Sequence, residues 1–340
     1  MEIGKSKTDL VHSLEETAGF FRMSATDQLD ASRVAAIEKT LFDQRMSILR
    51  ETATGASFAR SDYHDVYAFF QDASKDYDSD LKNPYWAFTH DILKFILLKF
   101  ITDHFRAGQS IRVFDAGAGT GNWSRFVASL GIPVIMFDMN SSMLEIAKSK
   151  LALASTGSAQ IVEGNLEIMH HFPSQKSNLV LCMHNVIGLA RNTEMILRNL
   201  YEYLEEGGIA FIMAMNKYHA FNFVNQFRDD KEILRVIQDG TVKFKSDMPE
   251  MFCYTPQEFE KILRGVGFED VTVLGFPVTV YPSIQDTKLL REGTSIQQLK
   301  NSRTRAQLLA LEKTLCLDPK LAYRGASSLI AVCKKGCSAH

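Results

Sequence analysis

Apolar positions follow two different rhythms along the chain. In Ala31–Leu49, Val34, Ile37, Leu41 and Ile48 recur mostly at three- and four-residue steps, which predicts a helix with one apolar stripe. Thr52–Ser61 is small and polar and reads as a linker. Tyr63–Phe70 reads as a short aromatic helix, and Tyr77–Pro84 as irregular. Ile92–Ile101 is nearly all apolar but is broken by Lys94 and Lys99. It is too short to cross a bilayer and predicts a buried helix. From Ile111 the rhythm changes to short apolar runs separated by helical spacing. Strands are expected at Ile111–Asp115, Pro133–Asp138, Gln160–Glu163, Asn178–Met183 and Ile209–Met215. Helices are expected at Trp123–Leu130, Ser141–Leu153 and Thr193–Leu204, the last stopped by Glu205-Glu206-Gly207-Gly208. Such alternation implies a parallel sheet with helices on both faces.

The pattern then loosens. Tyr218–Phe227 reads as helical. Thr255–Val266 carries a Thr cap, Pro at the first helical position and Glu258 three residues after the cap, which together make a capping box. Strands at Val271–Leu274 and Ser328–Cys333 flank an insertion, 281–323, whose Gln297–Leu317 part looks helical. The expected organisation is a helical N-terminal extension over 1–105, serving as a lid or dimer arm, followed by an α/β domain over 106–340.

Composition narrows the function. The chain has 340 residues, and with 46% of them apolar it can bury a substantial core. A formal charge of -2 argues against sequence-wide attraction to nucleic acid. The five cysteines, odd in number and widely spread, read as reduced thiols of a cytoplasmic protein. Cys333 and Cys337 have no second pair nearby to complete a zinc site, and the adjacent His170 and His171 point apart, so no metal is expected. No secretory leader or membrane span is visible.

The chemistry concentrates in Val113-Phe114-Asp115-Ala116-Gly117-Ala118-Gly119-Thr120-Gly121. A strand runs into a glycine turn there, which lets a ligand approach the backbone, and the helix that follows begins with free N–H groups. Asp138 closes the second strand, where doubly wound folds place a carboxylate that accepts from ribose hydroxyls. The run resembles motif I of class I S-adenosylmethionine-dependent methyltransferases, and the order of the later elements is similar to that family's. It differs from the dinucleotide fingerprint in that the third glycine comes one residue early and an acid precedes the first.

The resemblance implies a Rossmann-like, doubly wound, mostly parallel sheet of seven strands, with S-adenosyl-L-methionine as cofactor. It places Gly117, Gly119 and Gly121 along the methionine half, with Asp115 orienting the amino group through the loop. Asp138 would serve the ribose and Met139 the adenine. Asn165, followed by Leu166, falls where many members carry Asp reaching the adenine amine, and an Asn oxygen can still accept that bond. His184 falls at the methionine end. Among the aromatics Tyr77, Tyr85, Trp86 and Phe88, Tyr77 is the one expected at the cofactor, with packing on the sheet as the alternative for the group.

Methyl transfer from a sulfonium needs alignment and exclusion of water, and a general base only when the nucleophile still holds its proton. His184 and His219 are the candidate bases, with Tyr254 as a hydrogen-bonding partner. The expected activity is methyl transfer to a small-molecule metabolite, with no nucleic-acid or membrane partner and a homodimer through the N-terminal helices. Rival readings are use of the cofactor's aminocarboxypropyl arm, by transfer or cyclisation, a non-catalytic cofactor-binding partner protein, and a nicotinamide enzyme.

Overall fold

The computed structural model describes residues 63–152, 158–222, 235–243, 248–280, 298–326 and 328–337. The chain divides into two units, Met1–Glu51 and Thr52–His340, and every described residue belongs to the second. The expected helix Ala31–Leu49 and linker Thr52–Ser61 lie outside the described residues, as do the end of the helix expected at Tyr218–Phe227 and residues 281–297 of the insertion.

Helix α1 (His64–Ala73) and a 3-10 turn (Tyr77–Lys82) precede α2 (Pro84–His104). Asn83 caps α2 by accepting the Tyr85 N–H, and Pro84 sits in its first turn, where a missing N–H costs nothing. The alternating core follows: β1 (Val113–Ala116), α3 (Asn122–Ser129), β2 (Val134–Asp138), α4 (Ser141–Ala152), β3 (Ala159–Glu163), β4 (Ser177–Cys182), α5 (Thr193–Tyr203) and β5 (Leu204–Asn216). Helix α6 (Lys217–Asn222) and the short β6 (Thr241–Val242) lead to β7 (Met251–Tyr254) and α7 (Pro256–Val266). The chain continues through β8 (Glu269–Phe276), α8 (Ser302–Leu315) and β9 (Ser328–Lys334).

The parallel strands run in the order β3-β2-β1-β4-β5. β9 then pairs antiparallel with both β5 and β8, and so lies between them. These seven strands form the doubly wound sheet that the family resemblance implied. β7 pairs with only the last two residues of β5, and β6 pairs with β7, which makes an added flap that apolar spacing did not reveal. Strand β5 also starts earlier than expected: Leu204 already pairs with Ser177 and Ile209 with Leu179, so the glycine turn is a bulge within the strand.

Burial on both faces explains the continuous apolar runs. Phe114, Val180, Cys182, Ala210 and Ile212 face one core with α5 and α7, while Val113, Leu179, Leu181, Ile209 and Phe211 face the other with α2. Helix α2 puts Phe88, Ile92, Leu93, Ile96 and Leu97 into that second core, as the apolar run predicted. Helix α7 shows the full capping box, with Thr255 accepting from Glu258 N and Glu258 accepting from Thr255 N.

One close approach sets a stability prediction. A Cβ on Gly275 of β8 would lie 2.1 Å from the Ala322 carbonyl oxygen, a backbone atom that cannot swing aside. We expect Gly275→Ala to cost about 1–3 kcal/mol through overpacking, read as a lower thermal midpoint in calorimetry. An unchanged midpoint would show that the segment 319–325 yields freely.

Candidate active site

The carboxyl ends of β1, β2 and β4 meet around the glycine turn. Gly117, Gly119 and Gly121 all have positive φ, at 76°, 54° and 75°, a region where side chains are strained. The turn spends its N–H groups internally. Gly117 and Ala118 donate to the Phe137 carbonyl at 2.7 and 3.0 Å, and Gly121 donates to that of Ala118 at 2.9 Å. Gly119 donates to Asp138 Oδ2 at 2.8 Å, while Asp138 Oδ1 accepts from Asn140 N at 2.8 Å. Asp138 therefore ties the turn to the end of β2.

Beside this turn opens a cavity of about 980 Å³, counting the open solvent at its mouth. Of the residues singled out from sequence, Tyr77, Gly117, Gly119, Asp138, Met139, Asn165, Leu166 and His184 line it together. Asp138 is its one carboxylate, and no Lys or Arg lines it among the described residues. Of the aromatic group after Tyr77, Tyr85 and Phe88 are buried in the core and Trp86 is half exposed.

Four expected site residues lie elsewhere. A Cβ on Gly121 would meet Met136 Cε at 2.5 Å and Ala147 Cβ at 3.0 Å, so this glycine lets α3 and α4 pack on β2 rather than lining the cavity. Tyr254 is buried in the core, where its hydroxyl donates to Thr193 Oγ1 at 3.0 Å. His219 is buried on α6 away from the cavity, and burial pushes its imidazole down to about 4. Asp115 is fully covered and accepts from Ser124 Oγ at 2.5 Å, which joins β1 to α3 behind the turn.

Burial, with a further push from the Asp138 charge, raises the Asp115 carboxyl to about 7 against the Ser124 hydrogen bond. A carboxyl raised on folding favours the folded state below its ordinary pKa and loses that contribution as pH rises through the raised value. Stability should therefore decline between pH 4 and 7 on account of this group. Asp115→Asn keeps the shape and an oxygen for Ser124, and should flatten that decline when thermal midpoints are followed across the range. An identical slope in the variant would remove Asp115 as its source.

Sequence spacing did not reveal the wall contributed by residues 63–82. Tyr63, Val66, Tyr67 and Phe70 of this segment reach the cavity with Tyr77. The Tyr67 hydroxyl is 3.1 Å from Ser141 Oγ, and the Tyr67 carbonyl accepts from Asn140 Nδ2 at 3.1 Å. Asp78 anchors the wall: its Oδ1 accepts from Thr120 Oγ1 at 2.8 Å and Asn122 Nδ2 at 2.9 Å, and it pairs with Lys150. Lys150 also reaches the Thr120 carbonyl and Asn122 Oδ1. Asp78 gave no signal because it sits in an aperiodic stretch and its partners are distant in sequence.

His184 follows β4 in a left-handed conformation, φ 56°, and so does Asn185, φ 60°. Asn185 Oδ1 accepts from Met215 N at 2.9 Å and holds this double turn. His184 Nε2 accepts from the Trp123 indole N–H at 2.8 Å. Burial, with the neighbouring His90 a lesser cause, pushes its imidazole down to about 3. The lone pair that a general base would use is already engaged, which corrects the expectation of a base here. Among the described residues no three of His, Cys, Asp or Glu come together as a metal site, and no helix is long and apolar enough to cross a membrane.

A family model described as a methyltransferase domain matches residues 113–208, from β1 into β5. The chain is 31% identical over 139 residues to the ubiquinone/menaquinone biosynthesis C-methyltransferase UbiE of Haemophilus ducreyi, covering 38% of this chain and 52% of that one. It is 28% identical over 184 residues to the protein of the same description from Erwinia tasmaniensis, covering 49% and 69%. The chain thus spans about half the length of the first of these relatives. The chain also shares its fold with Haemonchus contortus phosphoethanolamine N-methyltransferase 2, solved with phosphomonomethylethanolamine and S-adenosylhomocysteine. That likeness has a TM-score of 0.51 and 14% identity, and covers 82% of this chain and 61% of that chain.

Proposed function

We propose that the chain is an S-adenosyl-L-methionine-dependent methyltransferase acting on a small molecule. The observation that carries this reading is the polarity of the cavity wall. A ligand bearing a pyrophosphate would need free N–H groups or cations, as phosphate cradles supply. Here the N–H groups of Gly117 and Ala118 are taken by the Phe137 carbonyl, that of Gly119 by Asp138 and that of Gly121 by the Ala118 carbonyl, and the lining holds one carboxylate and no Lys or Arg among the described residues. A cationic sulfonium ligand with hydroxyls to donate fits that wall, and a nicotinamide dinucleotide does not.

The bound cofactor supplies a methyl group already activated on sulfur. The residues of this chain then have to hold, orient and exclude water. Asp138 is assigned to the ribose hydroxyls, Met139, Asn165 and Leu166 to the adenine end, and Gly117 and Gly119 to close backbone approach. Tyr77 and the aromatic wall of α1 cover the site, where ring faces suit a cation. The basic lone pair of His184 is taken by the Trp123 N–H, so the acceptor must enter able to attack without giving its proton to that ring.

One observation also favours the second reading, use of the aminocarboxypropyl arm: the His184 lone pair that was expected to serve as a base is already taken by the Trp123 N–H. The test is mass spectrometry of the purified chain with S-adenosylmethionine, with and without a metabolite extract. S-adenosylhomocysteine formed only with extract supports methyl transfer, and methylthioadenosine supports the alternative. Neither product would leave a cofactor-binding partner protein. We assign the chain to the cytoplasm, in keeping with five free thiols. A homodimer through the N-terminal helices rests on residues outside those described.

A further inference from the structure

We propose that Trp123 is a positioning residue: its indole N–H occupies Nε2 of His184 and so makes His184 a fixed Nδ1–H donor for the ligand in the cavity. The inference rests on the functional reading above for what the ligand is, but not for the state of the ring.

The argument begins with the indole, which is a donor only. Trp123 is buried in the first turn of α3, and its Nε1 lies 2.8 Å from His184 Nε2. A nitrogen that accepts carries no proton, so the neutral imidazole keeps its proton on Nδ1. Three further contacts hold the ring in place. His90 of α2 stacks on both Trp123 and His184, with centroids 5.0 and 5.2 Å away and planes within 26°. The His184 backbone N–H donates to Met213 Sδ at 3.4 Å. Asn185 holds the left-handed turn that presents the ring to the cavity. Backbone strain retained beside a cavity points to a role for the side chain it aims.

The groups around the ring leave it neutral. His90 and Trp123 are packed against it. Lys94 and Asp91 act on His90 with opposite signs, and burial pushes His90 itself down to about 4. With Nε2 occupied, the one polar atom His184 has left for a ligand is the Nδ1–H. The group it meets must therefore offer lone pairs, as a carbonyl, carboxylate or ionised oxygen does. A hydroxyl whose proton must be removed by the ring does not fit.

The test is nitrogen NMR of the full chain labelled with 15N-histidine, using His184→Ala to assign the signal. The expected result is an Nδ1–H tautomer for His184 that stays neutral from pH 5 to 8. Trp123→Phe should release the ring to the Nε2–H form, while burial and His90, both retained in the variant, keep it neutral. An Nε2–H tautomer in the wild-type chain overturns the proposal. So does an Nδ1–H ring that persists unchanged in Trp123→Phe. If that variant does not fold, the wild-type tautomer alone decides.

The second readout is calorimetric binding of S-adenosylhomocysteine at pH 5.5 and 7.5. The Trp123→Phe chain should bind about threefold or more weakly than wild type at both pH values, because its His184 no longer presents a fixed Nδ1–H. Equal affinity of the two folded chains overturns the donor role toward the ligand. Failure of the wild-type chain to bind S-adenosylhomocysteine at all, with the tautomer as expected, overturns the methyltransferase reading and leaves the Trp123–His184 arrangement standing.

Discussion

Replacing Asp138 by Ala is expected to weaken S-adenosylmethionine binding by about 10- to 100-fold, since hydrogen bonds to a charged group contribute about 1.5–3 kcal/mol. Two losses combine in this variant. One is the acceptor proposed for the ribose hydroxyls. The other is the tie to Gly119 N and Asn140 N, which fixes the glycine turn before any ligand arrives. Asp138→Asn keeps an oxygen acceptor and should fall between wild type and Ala. Isothermal titration reads both variants, with circular dichroism to show that each is folded. Burial raises the Asp138 carboxyl, with Glu163 adding to the push and the N–H groups of Asn140, Gly119 and Met139 opposing it. Affinity should therefore weaken as pH falls into the acid range in the wild-type chain and not in the Ala variant. An unchanged titration by a folded Asp138→Ala chain would take this residue out of the site.

Removing Asp78 should loosen the cavity wall without unfolding the sheet. Its carboxylate serves Thr120, Asn122 and Lys150 together, and it is the link from the 77–82 turn to both α3 and α4. Burial alone would raise the Asp78 carboxyl. The hydrogen bonds from Lys150, Asn122 and Thr120 and the Lys150 charge outweigh burial and lower it. A depressed carboxyl stabilises the fold above its ordinary pKa, and that contribution is lost as pH falls through the lowered value. At neutral pH the contribution is thus fully present, and Asp78→Ala should cost about 1–3 kcal/mol in local opening. Hydrogen exchange should speed up by about 10- to 100-fold in α1 and residues 77–82, while β1, β4 and β5 keep their protection. Equal protection of the segment in both proteins would show that the aromatic contacts hold it unaided.

How much could be read beforehand depended on whether the cause was local. The inner strands β1, β4 and β5 are apolar on both faces, so Val113–Phe114 and Leu179–Cys182 stand out as unbroken runs. The α7 cap is complete within four residues and was legible to the atom. β6 is two residues long and β7 is held by two pairings to β5, too short for any period to register. In the site, Asp138 was visible because an acid closes the second strand, one helix beyond the glycine turn. Tyr254 and His219 stood at similar strand ends, but position along a strand does not reveal where a side chain finds its partner. Tyr254 found Thr193, and His219 was buried on α6. The donor that occupies His184 is Trp123, 61 positions away, and no local pattern joins them.

The placement of β9 bears on how the molecule is made. Ile212 in β5 has Ala331 as its antiparallel partner, and Leu274 in β8 has Ile330. During synthesis the glycine turn, Asp138 and His184 all emerge well before Ser328–Lys334. Until that last strand arrives, β5 and β8 each present an open row of N–H and C=O groups to any neighbouring chain. The nascent chain therefore passes through an interval in which the cavity residues have been translated but the sheet behind them is unsealed. Its yield in a cell should depend on chaperone supply during that interval more than on the strength of any contact in the finished site.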